Sequence, residues 1–376
     1  MSTSLRAPVN AVGRFAHVDA LRAFAVLVVV GQHVVYRGLP GESGVTVFFG
    51  ISGFIITWLM LREKSAEGGF RVGAFYFRRI VKLAPPFLVI ILVPTLVYGL
   101  VEPVAAPAVL SQVFFGYNWL LIFDPLLASQ VLPGTIVVWS LAVEEQFYIA
   151  FALIWLAVAR TRAWLEWALG VAVAAIVTGI AVRIVLVQDP AGYYHARWGT
   201  DARMDAIGIG VLAAVALFAW QRGSLPWLAR LAHPATPAVA VALYCGSLLI
   251  APVQWELTVA PILQVCGAVL LILYGLLPRQ GAVAGAFDKG VSWRPLQLVG
   301  LASYSIYLIH YPLGTLIGAP LEAVMPKVLA NLATGVIAVL AGVAVYRLVE
   351  VPALAWRKRR ERARAARSAH VAAGAG

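Results

Sequence analysis

Apolar runs close to 20 residues long recur along almost the whole chain, near 18–36, 45–62, 80–101, 139–159, 164–187, 203–220, 236–253, 258–277, 296–318 and 327–349. About 20 such residues, rising about 1.5 Å each, cross the hydrocarbon of a bilayer. In lipid a helix satisfies every backbone polar group within its own segment. The pattern therefore predicts an all-α fold, a polytopic transmembrane helix bundle of about ten spans. Only 12% of the 376 residues are charged, against about 25% in a soluble domain, which excludes an ordinary soluble fold. One membrane-embedded domain is expected over 1–350, followed by a basic, disordered cytoplasmic tail over 351–376. The first run follows Arg6 and Arg14 as in a signal peptide, but no small-residue cleavage site follows it, so it reads as the first span.

A shorter apolar stretch, 108–123, contains Gly116 and Asn118 with Asp124 beyond it, and reads as re-entrant or interfacial. Counting it as a span would invert everything after it, and the positive-inside rule tests that choice. With ten spans, all but Arg37, Arg183, Arg197, Arg203 and Lys327 of the 29 Lys and Arg residues are cytoplasmic. No Lys or Arg occurs between Lys82 and Arg160, as an external connection requires. Both termini are then cytoplasmic. The net charge of +12 thus reports topology, and no soluble domain presents it to nucleic acid. Cys245 and Cys266 lie within apolar runs without metal-ligand spacing and read as packing residues, so no metal is expected.

Ionisable residues inside spans cost about 2.5–3.5 kcal/mol each on insertion scales, which makes each a functional candidate. Arg22 and His33 lie eleven residues apart in the first run, three turns plus about 20°, and so share a face about 16 Å apart along the axis. Asp19 joins that stripe. A snorkelling arginine and a histidine bonded between helices would fit equally well. The fourth run opens on Trp139 to Tyr148 with the adjacent carboxylates Glu144 and Glu145, about 100° apart around the helix, so one can face a cavity while the other pairs with an arginine. Arg203 and Asp205 open the sixth run ahead of Gly208 and Gly210, where a local salt bridge is an alternative. His310 precedes Pro312 in the ninth, where it can bond a freed carbonyl instead. Ser52 lies among small residues in the second. His33, Ser52, Glu144, Arg203, Asp205 and His310 all fall in the outer half of the membrane, a candidate polar cavity. A histidine with a carboxylate in reach can deprotonate a hydroxyl.

These residues carry a family resemblance. His17-Val18-Asp19-Ala20-Leu21-Arg22-Ala23, with His33 after it, resembles the opening motif of the acyltransferase-3 family of integral membrane O-acyltransferases. Phe48 to Phe54 is similar to its FFxxSGF block, Phe75 to Pro85 to its basic loop, Trp139 to Tyr148 to its WSLxxEEQFY block, Arg203 to Gly208 to its RxDxxxxG block, and Ser303 to Pro312 to its SYSxYLxHxP block. Ala84 stands where isoleucine is frequent, and Gly31-Gln32 where apolar residues are commoner. Some members carry a further external hydrolase-like domain. This chain is expected to act through its membrane domain alone or with a partner.

The resemblance implies an acyl-CoA donor, acetyl-CoA first, reaching a bacterial inner-membrane enzyme from the cytoplasm, and an acceptor hydroxyl on a glycan, glycolipid or glycosylated natural product of the cell envelope. Arg78, Arg79 and Lys82 are the expected CoA-phosphate site, since guanidinium forks suit phosphate. The pantetheine arm, on the order of 15–20 Å long, matches the Arg22–His33 rise. His33 is the expected base, with Glu144 its orienting partner or a second proton carrier. Arg22, Asp19, Arg203, Asp205, Ser52, His310 and Tyr304 would position donor and acceptor. An acyl-histidine intermediate remains open. A glycolipid transporter or flippase, using the same charges as a proton relay, is the alternative reading, and a non-catalytic envelope scaffold a third.

Overall fold

The computed structural model describes residues 15–67, 71–158 and 161–374 and is a helical bundle. Residues 1–14, on which the cytoplasmic placement of the N-terminus rests, lie outside that range. Helices form at each apolar run: α1 (Ala16–Val35), α2 (Gly41–Glu67), α3 (Val72–Tyr98), α4 (Val138–Val158), α5 (Trp164–Leu186), α6 (Thr200–Gln221), α7 (Thr236–Ser247), α8 (Ala260–Leu276), α9 (Ser303–Val324) and α10 (Lys327–Val345).

Among the described residues eight candidate spans are long and apolar enough to cross a membrane, two fewer than the ten runs. The run at 236–253 yields only the 12 residues of α7, about 18 Å of helix. The run at 296–318 breaks at Ala302, between a short helix Arg294–Leu301 and α9. α9 has 22 residues, long enough to span, but its Tyr, Ser and His side chains and Pro312 and Pro320 dilute its apolar character. The uncertain stretch at 108–123 forms Ala106–Val113 and Tyr117–Phe123, each at most 8 residues long and too short to cross. The backbone continues from α10 through a π turn, Tyr346–Glu350, into helix α11, Val351–Gly374.

α6 packs along both α2 and α5, and small residues make the contact with α2. A Cβ on Gly53 would strike the carbonyl of Ile207, and one on Gly210 the carbonyl of Gly50, so these backbones touch as only glycine permits. Gly208 performs the same service toward α5, where a Cβ would lie 3.0 Å from the Ala172 carbonyl. α5 and α6 are further joined by the ion pair of Arg183 and Asp205, both side chains fully buried.

Among the described residues three π turns interrupt the helices, at Gly31–Val35, Leu88–Leu92 and Tyr346–Glu350. Such single-turn insertions are rare and gather at functional sites. The second follows Pro85 and Pro86, which lie inside α3 and lack the N–H needed for regular i→i−4 bonding.

Candidate active site

α1, α2, α3, α4 and α9 enclose a cavity of about 770 Å³, part of it open to solvent. Arg22, Ser52, Lys82, Glu144, Ser303 and Tyr304 line it. The Nε of Arg22 donates to Ser303 Oγ at 3.1 Å, tying α1 to α9, and its guanidinium lies 5.9 Å from the Phe48 ring. Ser52 Oγ donates to Glu144 Oε1 at 3.2 Å across α2 and α4. Tyr304 donates its hydroxyl to the Leu83 carbonyl at 3.0 Å, where α3 lies next to the prolines.

The two adjacent carboxylates take opposite roles, as their 100° separation allows. Glu144 is half-buried on the cavity wall, whereas Glu145 is buried and paired with Arg79. Arg79 also stacks over Tyr148, 4.1 Å from its centroid. Its guanidinium, expected at CoA phosphates, is therefore engaged by a carboxylate and an aromatic face. Arg78 pairs with Glu63 at 3.2 Å and does not line the cavity. Of the three cations expected to cradle phosphate, Lys82 and Arg79 line the cavity, and Arg22 joins them from α1.

His33 sits on the π turn that ends α1, and its Nδ1 lies 2.9 Å from Nε2 of His310 on α9. The Nδ1 of His310 lies 2.6 Å from the Tyr307 carbonyl, which can only accept. With one proton on each ring, that carbonyl fixes the network. His310 carries its proton on Nδ1, so its Nε2 accepts from His33 Nδ1–H, and the lone pair of His33 is left on Nε2. Tyr311 stacks on His33 at 4.7 Å and holds the ring plane. His310 is completely buried and His33 partly so. The expected His33–Glu144 pair is not formed, because the histidine takes the orienting partner from α9 and the carboxylate takes Ser52.

Tyr307 stands between the two groups. It lines the Glu144 cavity, its hydroxyl lies 2.7 Å from Ser140 Oγ and donates to the Val137 carbonyl at 3.1 Å, and its ring centroid is 5.7 Å from that of His310.

The remaining expected residues lie elsewhere. Asp205 is consumed by Arg183. Asp19 is buried, with its backbone carbonyl packed against Gly300, and does not line the cavity. Arg203 lines a second cleft of about 1030 Å³, part of it open to solvent, with Gln32, Glu42, Thr46 and Arg197. The single polar cavity expected from depth alone is thus a cavity, a histidine pair and a separate cleft.

Sequence reasoning missed Glu350, which fell just beyond the last apolar run. It is buried on the third π turn and accepts from Ser305 Oγ at 3.2 Å. It also missed the staple that fixes the 106–128 segment. Gln146 of α4 donates to Asn118 Oδ1 at 2.9 Å and accepts from Trp119 Nε1 at 3.0 Å and Thr200 Oγ1 at 2.6 Å. Asn118 was visible as the polar residue in an apolar stretch, but its partners were not.

A family model described as an acyltransferase domain, acyltransferase-3, matches residues 15–347. The chain is 29% identical over 355 residues to the peptidoglycan O-acetyltransferase OatA of Listeria monocytogenes, covering 89% of this chain and 55% of that protein. It is 30% identical over 311 residues to the putative peptidoglycan O-acetyltransferase YrhL of Bacillus subtilis, covering 78% and 48%. To the O-acetyltransferase OatA of Staphylococcus aureus it is 27% identical over 315 residues, covering 78% and 50%. The chain spans about half the length of these relatives. No solved structure matches it.

Proposed function

The chain belongs to the acyltransferase-3 family, and from that premise we propose that it moves an acyl group, acetyl first, from acyl-CoA to a hydroxyl of a glycan, glycolipid or glycosylated natural product, at the bacterial inner membrane. The names of its relatives support a cell-wall carbohydrate as acceptor. The observation that carries the reading is the ordered pair of histidines above a cavity lined by Arg22, Lys82, Ser52 and Glu144. A cation-lined cavity fits a phosphorylated donor, and a histidine whose free lone pair is fixed on Nε2 fits a general base.

In this mechanism the acceptor hydroxyl lies at His33 Nε2, which takes its proton as the oxygen attacks the thioester carbonyl. The new C–O bond forms, the C–S bond breaks, and coenzyme A leaves as the thiol with the proton from the histidine, Glu144 serving as a second proton carrier. His310 stabilises the imidazolium by accepting from Nδ1–H, the orienting role that a carboxylate fills in hydrolase triads. Arg22 and Lys82 hold the donor, and Arg203 serves the acceptor.

The test feeds membranes containing the protein with isotope-labelled acetyl-CoA and follows the label by mass spectrometry into lipid-linked glycans and small glycosides. Label in an ester that mild base removes is the expected result. Absence of labelled product with every acyl-CoA and glycan tried, from folded protein, would sink the reading.

A further inference from the structure

Arg203 is a buried cation with no carboxylate of its own. The residue is 2% exposed and contributes to the wall of the second cleft. Its Nη2 donates to Thr46 Oγ1 at 2.7 Å, its guanidinium lies 5.7 Å from the Phe49 ring, and its Nε is buried without a hydrogen-bond partner. The carboxylates nearest to hand are taken, Asp205 by Arg183 and Glu42 by Arg197. None of the ion pairs among the described residues includes Arg203.

An unpaired charge in the interior is costly, and proteins keep one where something else supplies the opposite charge. The cleft offers that place. Besides Arg203 its charged walls are Arg37, Arg197, Glu42 and Glu256. With Glu42 and Arg197 neutralising each other, the cations Arg37 and Arg203 face the single carboxylate Glu256. Arg37 and Glu256 are both exposed at the rim, where water screens them, so the unscreened charge on the wall is positive. The cleft also lies beside the histidine pair. Gln32, which lines it, is the chain neighbour of His33, and Arg37, four residues further on, lines it too.

We propose that this cleft is an anion subsite of the acceptor, in which Arg203 receives a carboxylate or phosphate carried by the glycan so that a neighbouring hydroxyl is presented to His33. The inference rests on the acyl-transfer reading for its purpose, though not for its geometry. It narrows the acceptor from glycans at large to acidic ones. A buried guanidinium is the group for the task, since it keeps its charge when desolvated and matches both anions in shape.

Binding is measured first, without donor, on the full chain in lipid nanodiscs. Three tetrasaccharides of equal length are compared: chitotetraose, one containing glucuronate, and one carrying a phosphate monoester. The wild type should bind at least one charged sugar about tenfold or more tightly than the neutral one, the worth of one charge-assisted hydrogen bond. The two charged sugars tell a carboxylate site from a phosphate site. Arg203→Gln should abolish the preference. Arg203→Lys, which keeps charge without the fork, should retain part of it, and decides the question if the glutamine variant does not fold. Equal binding of all three sugars by the wild type, or a preference undiminished in both variants, overturns the subsite.

Acyl transfer to the same sugars separates this proposal from the one it builds on. Arg203-dependent binding with no transfer to any sugar leaves the subsite standing and removes the acyltransfer reading. Transfer at equal kcat/KM to charged and neutral sugars removes the subsite and leaves the reading intact.

Discussion

His33 and His310 come from the first and ninth apolar runs, 277 residues apart, and meet at 2.9 Å between Nδ1 and Nε2. Because Tyr307 accepts from the far nitrogen of His310 at 2.6 Å, the chain of donors has one direction. It leaves His33 with its lone pair outward and a neutral acceptor behind it. That arrangement separates the two residues experimentally. His33→Ala removes the base and should lower turnover at least 10²-fold, the lower bound for general acid–base catalysis, in protein that still inserts and folds. His310→Leu leaves His33 Nδ1–H without its acceptor, and should lower kcat with little change in KM. His310→Gln offers a side-chain oxygen in its place and should recover part of that loss. Turnover per folded molecule decides, and near-normal kcat in His310→Leu would end the orienting role.

Arg79 answers a different question. Its partner Glu145 is 5% exposed, and removing one member of such a buried pair costs about 3–5 kcal/mol. Arg79→Ala should therefore reduce the yield of folded protein and its melting temperature. The surviving fraction should bind acyl-CoA with an affinity that Lys82→Ala weakens more. Titration of acetyl-CoA onto both variants in detergent makes the comparison, and a larger affinity loss in a fully stable Arg79→Ala would return that residue to the phosphate site.

Arg183 and Asp205 should behave as a structural unit. Both side chains are fully enclosed, so Asp205→Asn strands a buried guanidinium and should cost about 3–5 kcal/mol. The double replacement Arg183→Met with Asp205→Leu removes both charges and should recover most of that stability. Acyl transfer by the double variant, corrected for folded protein, should approach wild type. A double variant that is stable and inactive would restore Asp205 to the active site.

The helices themselves were legible because a bilayer imposes a length on them, and each apolar run does become helix. The count of ten was less secure. Hydropathy along 236–253 does not reveal that the helix stops at Ser247, nor does that of 296–318 reveal the break at Ala302. At the site, the costly residues announced themselves one at a time through their insertion penalty, while their partners did not. A one-dimensional face-and-depth argument put His33 and Glu144 together because both lie at similar depth. It carries no information on azimuth between helices, and the π turn at Gly31–Val35 resets the direction in which His33 points. Glu145 could be assigned to an arginine in principle but not to Arg79 in particular. Arg79 lies 66 residues earlier, near the start of α3, in a stretch whose basic residues had a sufficient explanation in topology.

Orientation of the bundle fixes which end faces the donor, and the segment between Lys82 and Arg160 decides it. That segment holds no Lys or Arg, and its short helices are too short to cross, so the positive-inside rule predicts that it is external. Gln130 is an exposed position in this connection, and its carbonyl accepts from the Ala105 amide at 2.9 Å through the backbone alone, so its side chain is free to be replaced. Cys245 is exposed and Cys266 partly so, and both are changed to serine first to give a silent background. Gln130→Cys in intact cells should then react with a membrane-impermeant maleimide. A cysteine at Ser65, on the far end of α2 beside Arg222, should react only after the membrane is opened. The opposite pattern would mean that the 106–128 segment lies inside. The cleft of Arg203 would then face the cytoplasm, where acyl-CoA phosphates rather than a glycan would be the anion available to it.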